Sequence, residues 1–207
     1  MSVSLQIDVS GDDQVIKLLS RLRSALTDRT ALHKSIGGTA ELLTRQHLTT
    51  LAKTRHATAN KLGAKPSGHL ARAAESVKGD GTNEAATVSI TSPGMRRAFG
   101  DVTITPGAGK KYLTIPATAE AYNRRAGSFN DLRLAFFKNG LLALVKAEQS
   151  SVADRRQSGG RSEVYYWLKK SVTQKQDRTL LPPDDDYTAA AVAGVKSYLR
   201  LLRSASA

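Results

Sequence analysis

The chain has 207 residues, with 31 Lys plus Arg against 18 Asp plus Glu, a net charge of +13, and no cysteine. A hydrophobic fraction of 40% is enough to bury a core and excludes a wholly disordered chain. Without cysteine there is no disulfide framework, thiol catalysis, iron–sulfur cluster or Cys-ligated zinc. No apolar run approaches the length of a membrane span. The opening MSVSLQIDVSGDD lacks the basic leader and apolar stretch of a secretory signal, so a soluble protein made in the cytoplasm is expected.

Residues 3–9 alternate apolar and polar and predict a half-buried strand. Ser10 and Asp13 then offer helix-start chemistry, and Val15, Leu18, Leu19, Leu22 and Leu26 recur at helical spacing. Asp28 or Thr30 opens a second helix with a stripe of Leu32, Ile36, Ala40, Leu43, His47 and Leu51. Gly37-Gly38 inside it implies either close helix–helix contact or a break. Residues 52–68 lose the period and read as an exposed basic connection. Leu70, Ala73, Ala74 and Val77 predict a short helix ended by Gly79-Asp80-Gly81.

The period then changes to two. Short strands are predicted around Ala86–Ile90, Val102–Ile104 and Leu113–Ile115, with turns at Ser92-Pro93-Gly94 and Pro106-Gly107-Ala108-Gly109. Leu132–Phe136 and Leu141–Lys146 flank Lys138-Asn139-Gly140, and Asn-Gly is a strong hairpin signal. Residues 148–162 are polar and read as a projecting loop. Val164, Tyr166 and Leu168 alternate with Tyr165, Trp167 and Lys169, which gives a strand with aromatics on both faces. Such a strand is either buried in the monomer or covered by a partner. Leu180-Leu181-Pro182-Pro183 is an extended stop, serving either as a core plug or as a contact surface. Asp184-Asp185-Asp186 places negative charge at the start of a last helix, and Arg200 and Arg203 suit its other end. The expected fold is α+β: a small antiparallel sheet flanked by N-terminal helices and a C-terminal helix, with projecting loops. It is read as a single domain over 1–207, helical over about 10–80, sheet over about 84–180, and closed by a helix over about 184–204.

The chemistry searched for is mostly missing. His33 and His47 share a helix without a carboxylate at ligand spacing, and no H-E-x-x-H occurs, so no metal is expected. Gly107-Ala108-Gly109-Lys110-Lys111 lacks the spacing of a phosphate loop and the Ser or Thr that would hold magnesium. No G-x-S-x-G elbow places a nucleophile. A hydrolase using His56 and a nearby acid has only the presence of those residues behind it. Neither a catalytic set nor a cofactor is predicted. The basic stretches Arg45–Lys78 and Arg155–Arg178 suggest a nucleic-acid surface or a face matched to an acidic neighbour, without a readable DNA-binding motif.

Tyr112-Leu113-Thr114-Ile115-Pro116-Ala117, running on to Ala121-Tyr122-Asn123-Arg124-Arg125-Ala126, resembles bacteriophage virion-morphogenesis and tail-completion proteins. So does Val164 to Pro183 (VYYWLKKSVTQKQDRTLLPP), as do Thr54-Arg55-His56, Lys61-Leu62-Gly63-Ala64 and the opening strand and helices with their Arg-Gln-His. The resemblance implies a structural protein of the virion neck, made in the bacterial host and joining head to tail. It implies a homo-oligomeric ring, six-fold, against other phage neck, portal-adaptor or tail proteins, with the channel DNA as a further candidate partner and no membrane. Ring subunits meet through heterologous contacts that close. Interface residues are expected at Tyr165, Trp167, Leu180, Leu181 and Pro183, and loop contacts at Arg96, Arg97, Lys110 and Lys111. The alternative is a basic nucleic-acid-binding protein acting through a non-specific phosphate-contacting surface.

Overall fold

The computed structural model describes residues 12–138, 140–146 and 163–204. The predicted strand at 3–9 and the predicted loop at 148–162 lie outside them. Five helices occur among the described residues: α1 (Asp12–Thr27), α2 (Thr30–Thr54), α3 (Ala57–Leu62), α4 (His69–Glu75) and α5 (Asp184–Ser204). The strands are β1 (Val77–Gly81), β2 (Ala86–Ile90), β3 (Val102–Ile104), β4 (Leu113–Pro116), β5 (Leu132–Phe136), β6 (Leu142–Lys146), β7 (Glu163–Lys169) and β8 (Val172–Gln174). Mixed helices and small antiparallel sheets are the α+β architecture that the change of period implies. The chain divides into two compact units, one of residues 1–49, 71–93 and 179–207, the other of residues 50–70 and 94–178.

The first unit is built on α2. Its buried positions Gly37, Ala40, Thr44 and Leu48 follow helical spacing and form one face. Thr44 is fully buried, and its hydroxyl donates to the Ala40 carbonyl at 2.7 Å and meets the Tyr187 hydroxyl of α5 at 2.9 Å. Further up α5, a Cβ on Gly194 would stand 2.7 Å from the Ile36 Cα, so the two helices approach as closely as backbone allows. Ser35 and Thr39 donate to the Gly194 and Ala190 carbonyls across the same contact.

The glycine pair does not break α2. Gly37 faces β1, where its Cβ would lie 2.5 Å from the Asp80 carbonyl oxygen, whereas Gly38 looks into open space. The close neighbour of the pair is therefore a strand rather than a helix. Val77, Gly79 and Gly81 share one side of β1, and the two glycines bring its backbone onto that of α2. Gly79 N–H donates to Glu41 at 2.7 Å, and Glu41 also holds Arg45. The segment read as a helix end is thus a strand paired with β2 in the register Val77↔Ile90 to Gly81↔Ala86. The physical reason is tertiary: glycine is a poor strand former, but it lets another backbone come close.

The second unit holds a four-stranded sheet in the order β4-β7-β6-β5 and a separate β3-β8 pair. The β5–β6 hairpin forms as its Asn-Gly signal implies. Gly140 has φ 76°, and Phe137 N–H donates to the Leu141 carbonyl. Between β6 and β7 the register slips: Leu144 pairs with Tyr166 but Val145 pairs with Val164, so Tyr165 is the extra residue of a bulge. A bulge re-aims side chains. Tyr165 joins Tyr166 in one cluster with Ala121, backed by Phe129, Leu132 and Leu144. Phe129 stands edge-on to both tyrosine rings, at 5.4 and 6.1 Å. Strict alternation would have sent Tyr165 to the opposite face with Trp167. That face carries Trp167 against Phe137, 5.6 Å apart.

The connection over 52–68 is not uniformly exposed. It contains α3, whose Ala59 is buried and which Gly63 ends at φ 64°, a left-handed conformation that suits glycine.

Tyr165 donates to Glu120 at 2.6 Å and accepts from Lys146 at 3.4 Å. The Glu120 hydrogen bond, helped by burial, raises the Tyr165 phenol above its usual value of 10.0. The Tyr165 hydrogen bond in turn raises the Lys146 ammonium above 10.5. Both groups hold their protons more tightly folded than unfolded. Their contribution is fully present below the unfolded values and is lost as pH rises through the folded ones. The melting temperature of the second unit is therefore expected to fall above about pH 10, and less steeply in Tyr165→Phe, as a pH series of thermal melts would show.

Candidate functional site

A cavity of about 400 Å³ lies wholly within the second unit. One wall is the end of α2 and the start of α3, with Arg55, His56 and Thr58. A second is the turn into α4, with Ser67, Gly68 and His69. Arg97, Tyr122 and Gln174 close it. Its volume is that of a small-molecule site.

Local structure fixes these residues firmly. Asp177, largely buried, takes an ion pair from Arg55 and another from Arg97 at 3.4 Å. Asp177 N–H also donates to the Arg97 carbonyl at 2.7 Å. Gln174 is held by the β3–β8 ladder, paired with Val102. Gln176 donates to the Asp101 carboxylate and the Ala98 carbonyl, which ties the end of β8 to the 3₁₀ turn over Pro93–Ala98 that carries Arg97. Beside Tyr122, Asn123 adopts φ 65° and its amide donates to the Lys65 carbonyl. The Ser67 hydroxyl meets His69 Nδ1 at 3.0 Å.

Among the described residues, no Asp or Glu lines the cavity. His56 does have a cavity beside it, but the acid that a hydrolytic reading would pair with it is not in the lining. His69 also lines the cavity, whereas the two histidines of α2 are engaged elsewhere: His33 donates to the Thr82 carbonyl at 2.6 Å and His47 to the Thr179 carbonyl at 3.0 Å. Among the described residues, no group of three or more potential ligands could hold a metal ion.

The nine residues expected at interfaces separate by exposure. Tyr165 and Leu180, at 4% and 1% exposure, are core side chains, so neither is available to a partner. The bulge accounts for Tyr165. Leu180 ends a 3₁₀ turn just before α5 and acts as the core plug. Trp167 and Leu181 are half-buried, and Pro183 is exposed. Arg96, Lys110 and Lys111 are exposed, while Arg97 is half-buried and lines the cavity.

Other apolar side chains, outside the nine residues expected at interfaces, lie open. In the first unit, α1 exposes Val15, Ile16, Leu19 and Leu26, and α5, packed against it, exposes Val192, Leu199 and Leu201. In the second, β5 is an edge strand with Leu134 and Phe136 on one face, Phe136 being 77% exposed. Helical periodicity marked Val15, Leu19 and Leu26, though not Ile16, as part of one stripe; nothing in it says that the stripe stays open.

Charge is segregated between the units. Residues 50–70 and 94–178 hold 20 of the 31 Lys and Arg and 7 of the 18 Asp and Glu, which is the whole excess of 13. The first unit holds 11 of each sign and is neutral. No helix among the described residues is long and apolar enough to cross a membrane. Compared with known proteins, the chain matches no family model, no curated protein and no solved structure.

Proposed function

We propose that this chain is a structural virion protein of the neck or tail-completion type, which assembles into a ring joining head and tail. The observation that carries the assembly part is the exposed apolar surface of α1 and α5 on a unit with no net charge. A monomer gains nothing by holding seven large aliphatic side chains in water, and contiguous exposed apolar surface marks contact sites. The neutral unit has no electrostatic barrier against its own copies. The edge strand β5, with Leu134 and Phe136 outward, supplies a second self-complementary element, since an uncovered edge pairs with other strands. The sequence resemblance supports the virion setting. Light scattering on the isolated protein should give a closed oligomer of about six subunits, and Leu19→Glu with Leu26→Glu should dissociate it. A monomer at every concentration, inside intact particles as well as in solution, would refute the reading.

A second reading is favoured by one specific observation. The second unit carries the entire charge excess, which is the footprint of a surface that meets a polyanion. In a ring this would be the channel DNA; alone, it would make the protein a non-specific nucleic-acid binder. Duplex affinity should fall steeply as salt rises. Binding that ignores salt would exclude this role.

A further inference from the structure

We propose that β5 of one copy is completed by residues 3–9 of a neighbouring copy, which add to the sheet edge as an antiparallel strand. The contact rests on the ring reading and deepens it, since it names the segment that fills one of the subunit contacts.

Among the described residues, β5 ends its sheet. Phe137 N–H bonds to the Leu141 carbonyl on the hairpin side. Antiparallel bonding alternates along a strand, so the N–H and C=O groups of Leu134 and Phe136 point away from β6. Their side chains continue the row that Leu132 begins against the Tyr165–Tyr166 cluster, yet they are 53% and 77% exposed. A strand with apolar residues at every second position fits such an edge. Residues 3–9 (VSLQIDV) have that pattern. Set antiparallel with Ile7 opposite Leu134, they place Val9 opposite Leu132, Leu5 opposite Phe136, and Asp8 opposite the exposed Arg133. A slip of two residues one way sets Asp8 against Asp131, and the other way sets Gly11 against Leu132. A parallel strand that kept Asp8 beside Arg133 would set Gly11 beside Phe136. Apolar pattern and charge together select one direction and one register. A second β5 fits less well. It would bring together two units that each carry the whole excess of 13 positive charges, and a two-fold contact does not by itself propagate round a ring. Residues 3–9 belong to the neutral unit, so their contact with β5 joins unlike surfaces, head to tail, and repeats from copy to copy.

The test uses the full chain, which has no cysteine of its own. In this register Gln6 faces Ala135 in a non-hydrogen-bonded pair, where side chains lie close enough for a disulfide. Chains with Gln6→Cys and chains with Ala135→Cys, mixed and oxidised, should form a linked dimer containing one of each, and mass spectrometry of the linked peptides identifies the junction. Asp8→Cys mixed with Ala135→Cys is two residues out of register and should give little. Charge exchange supplies a second readout. Asp8→Arg and Arg133→Asp should each weaken assembly about fivefold, and the two in one chain should restore it. A general effect of net charge would instead move the two single variants in opposite directions. Light scattering on the unsubstituted chain tells the failures apart. An oligomer whose mixed chains do not link at 6 and 135 overturns this contact and leaves the ring reading standing. A monomer that does not link overturns both. A link that forms only within single chains carrying both substitutions, and not in the mixture, also overturns the proposal.

Discussion

Gly37→Ala is expected to destabilise the first unit while Gly38→Ala, one residue along the same helix, stabilises it. At Gly37 the new methyl would lie 2.5 Å from the Asp80 carbonyl oxygen and 2.9 Å from its nitrogen. Both are backbone atoms of β1 and cannot rotate away, so the β1–β2 hairpin has to lift off α2. Overpacking of this kind costs about 3 kcal/mol. Helix propensity returns about 1 kcal/mol of that. The net loss of about 2 kcal/mol should lower the melting temperature by roughly 6 °C for a chain of this size. At Gly38 nothing lies within 4 Å, so only the propensity gain of about 1 kcal/mol remains, a rise of roughly 3 °C. Calorimetric melts of the two variants check the pair. Equal shifts of the same sign would mean that β1 does not rest on Gly37.

Tyr166→Ala should be the most damaging single change in the second unit. The side chain is 1% exposed, stands edge-on to Phe129, and donates its hydroxyl to the carbonyls of Ala121 and Arg124. Truncation empties the centre of the cluster and strands those carbonyls, for a loss of about 4 kcal/mol. Tyr166→Phe keeps the ring and loses only the hydrogen bonds, about 1 kcal/mol. Trp167 is the single tryptophan of the chain and sits next door on the opposite face of β7, so its fluorescence reports this unit. In Tyr166→Ala the emission should shift red and the transition move down or vanish. An unchanged spectrum would place the unit's core elsewhere.

The long elements were legible because their side chains carry the signal. The stripes of α1, α2 and α5 keep helical spacing, and β2, β5 and β6 alternate cleanly. Two other elements depend on partners that no local pattern contains. β1 reads as a helix end because Gly79-Asp80-Gly81 has no side-chain period, and its strand state comes from the backbone of α2. Tyr165 reads as facing Trp167's side because alternation assumes an unbroken ladder, whereas a one-residue slip against β6 turns it inward. The cavity was illegible for a related reason. Its lining is drawn from 52–59, 66–70, 94–97, 122 and 174, which no spacing rule connects. His56 was singled out as a residue, but Arg97 was expected only in a loop contact. That its described lining gathers two arginines and two histidines becomes visible only once those segments meet.

The confinement of the positive excess to one unit sets folding against binding in their response to salt. Twenty cations with seven anions repel one another in the compact state, and screening relieves that repulsion. Added salt should therefore firm the second unit while it weakens any hold on a polyanion. A bound polyanion also relieves the repulsion, and, if it binds only the folded form, it adds its binding free energy to stability. The second unit is thus at its least stable in dilute buffer with nothing bound.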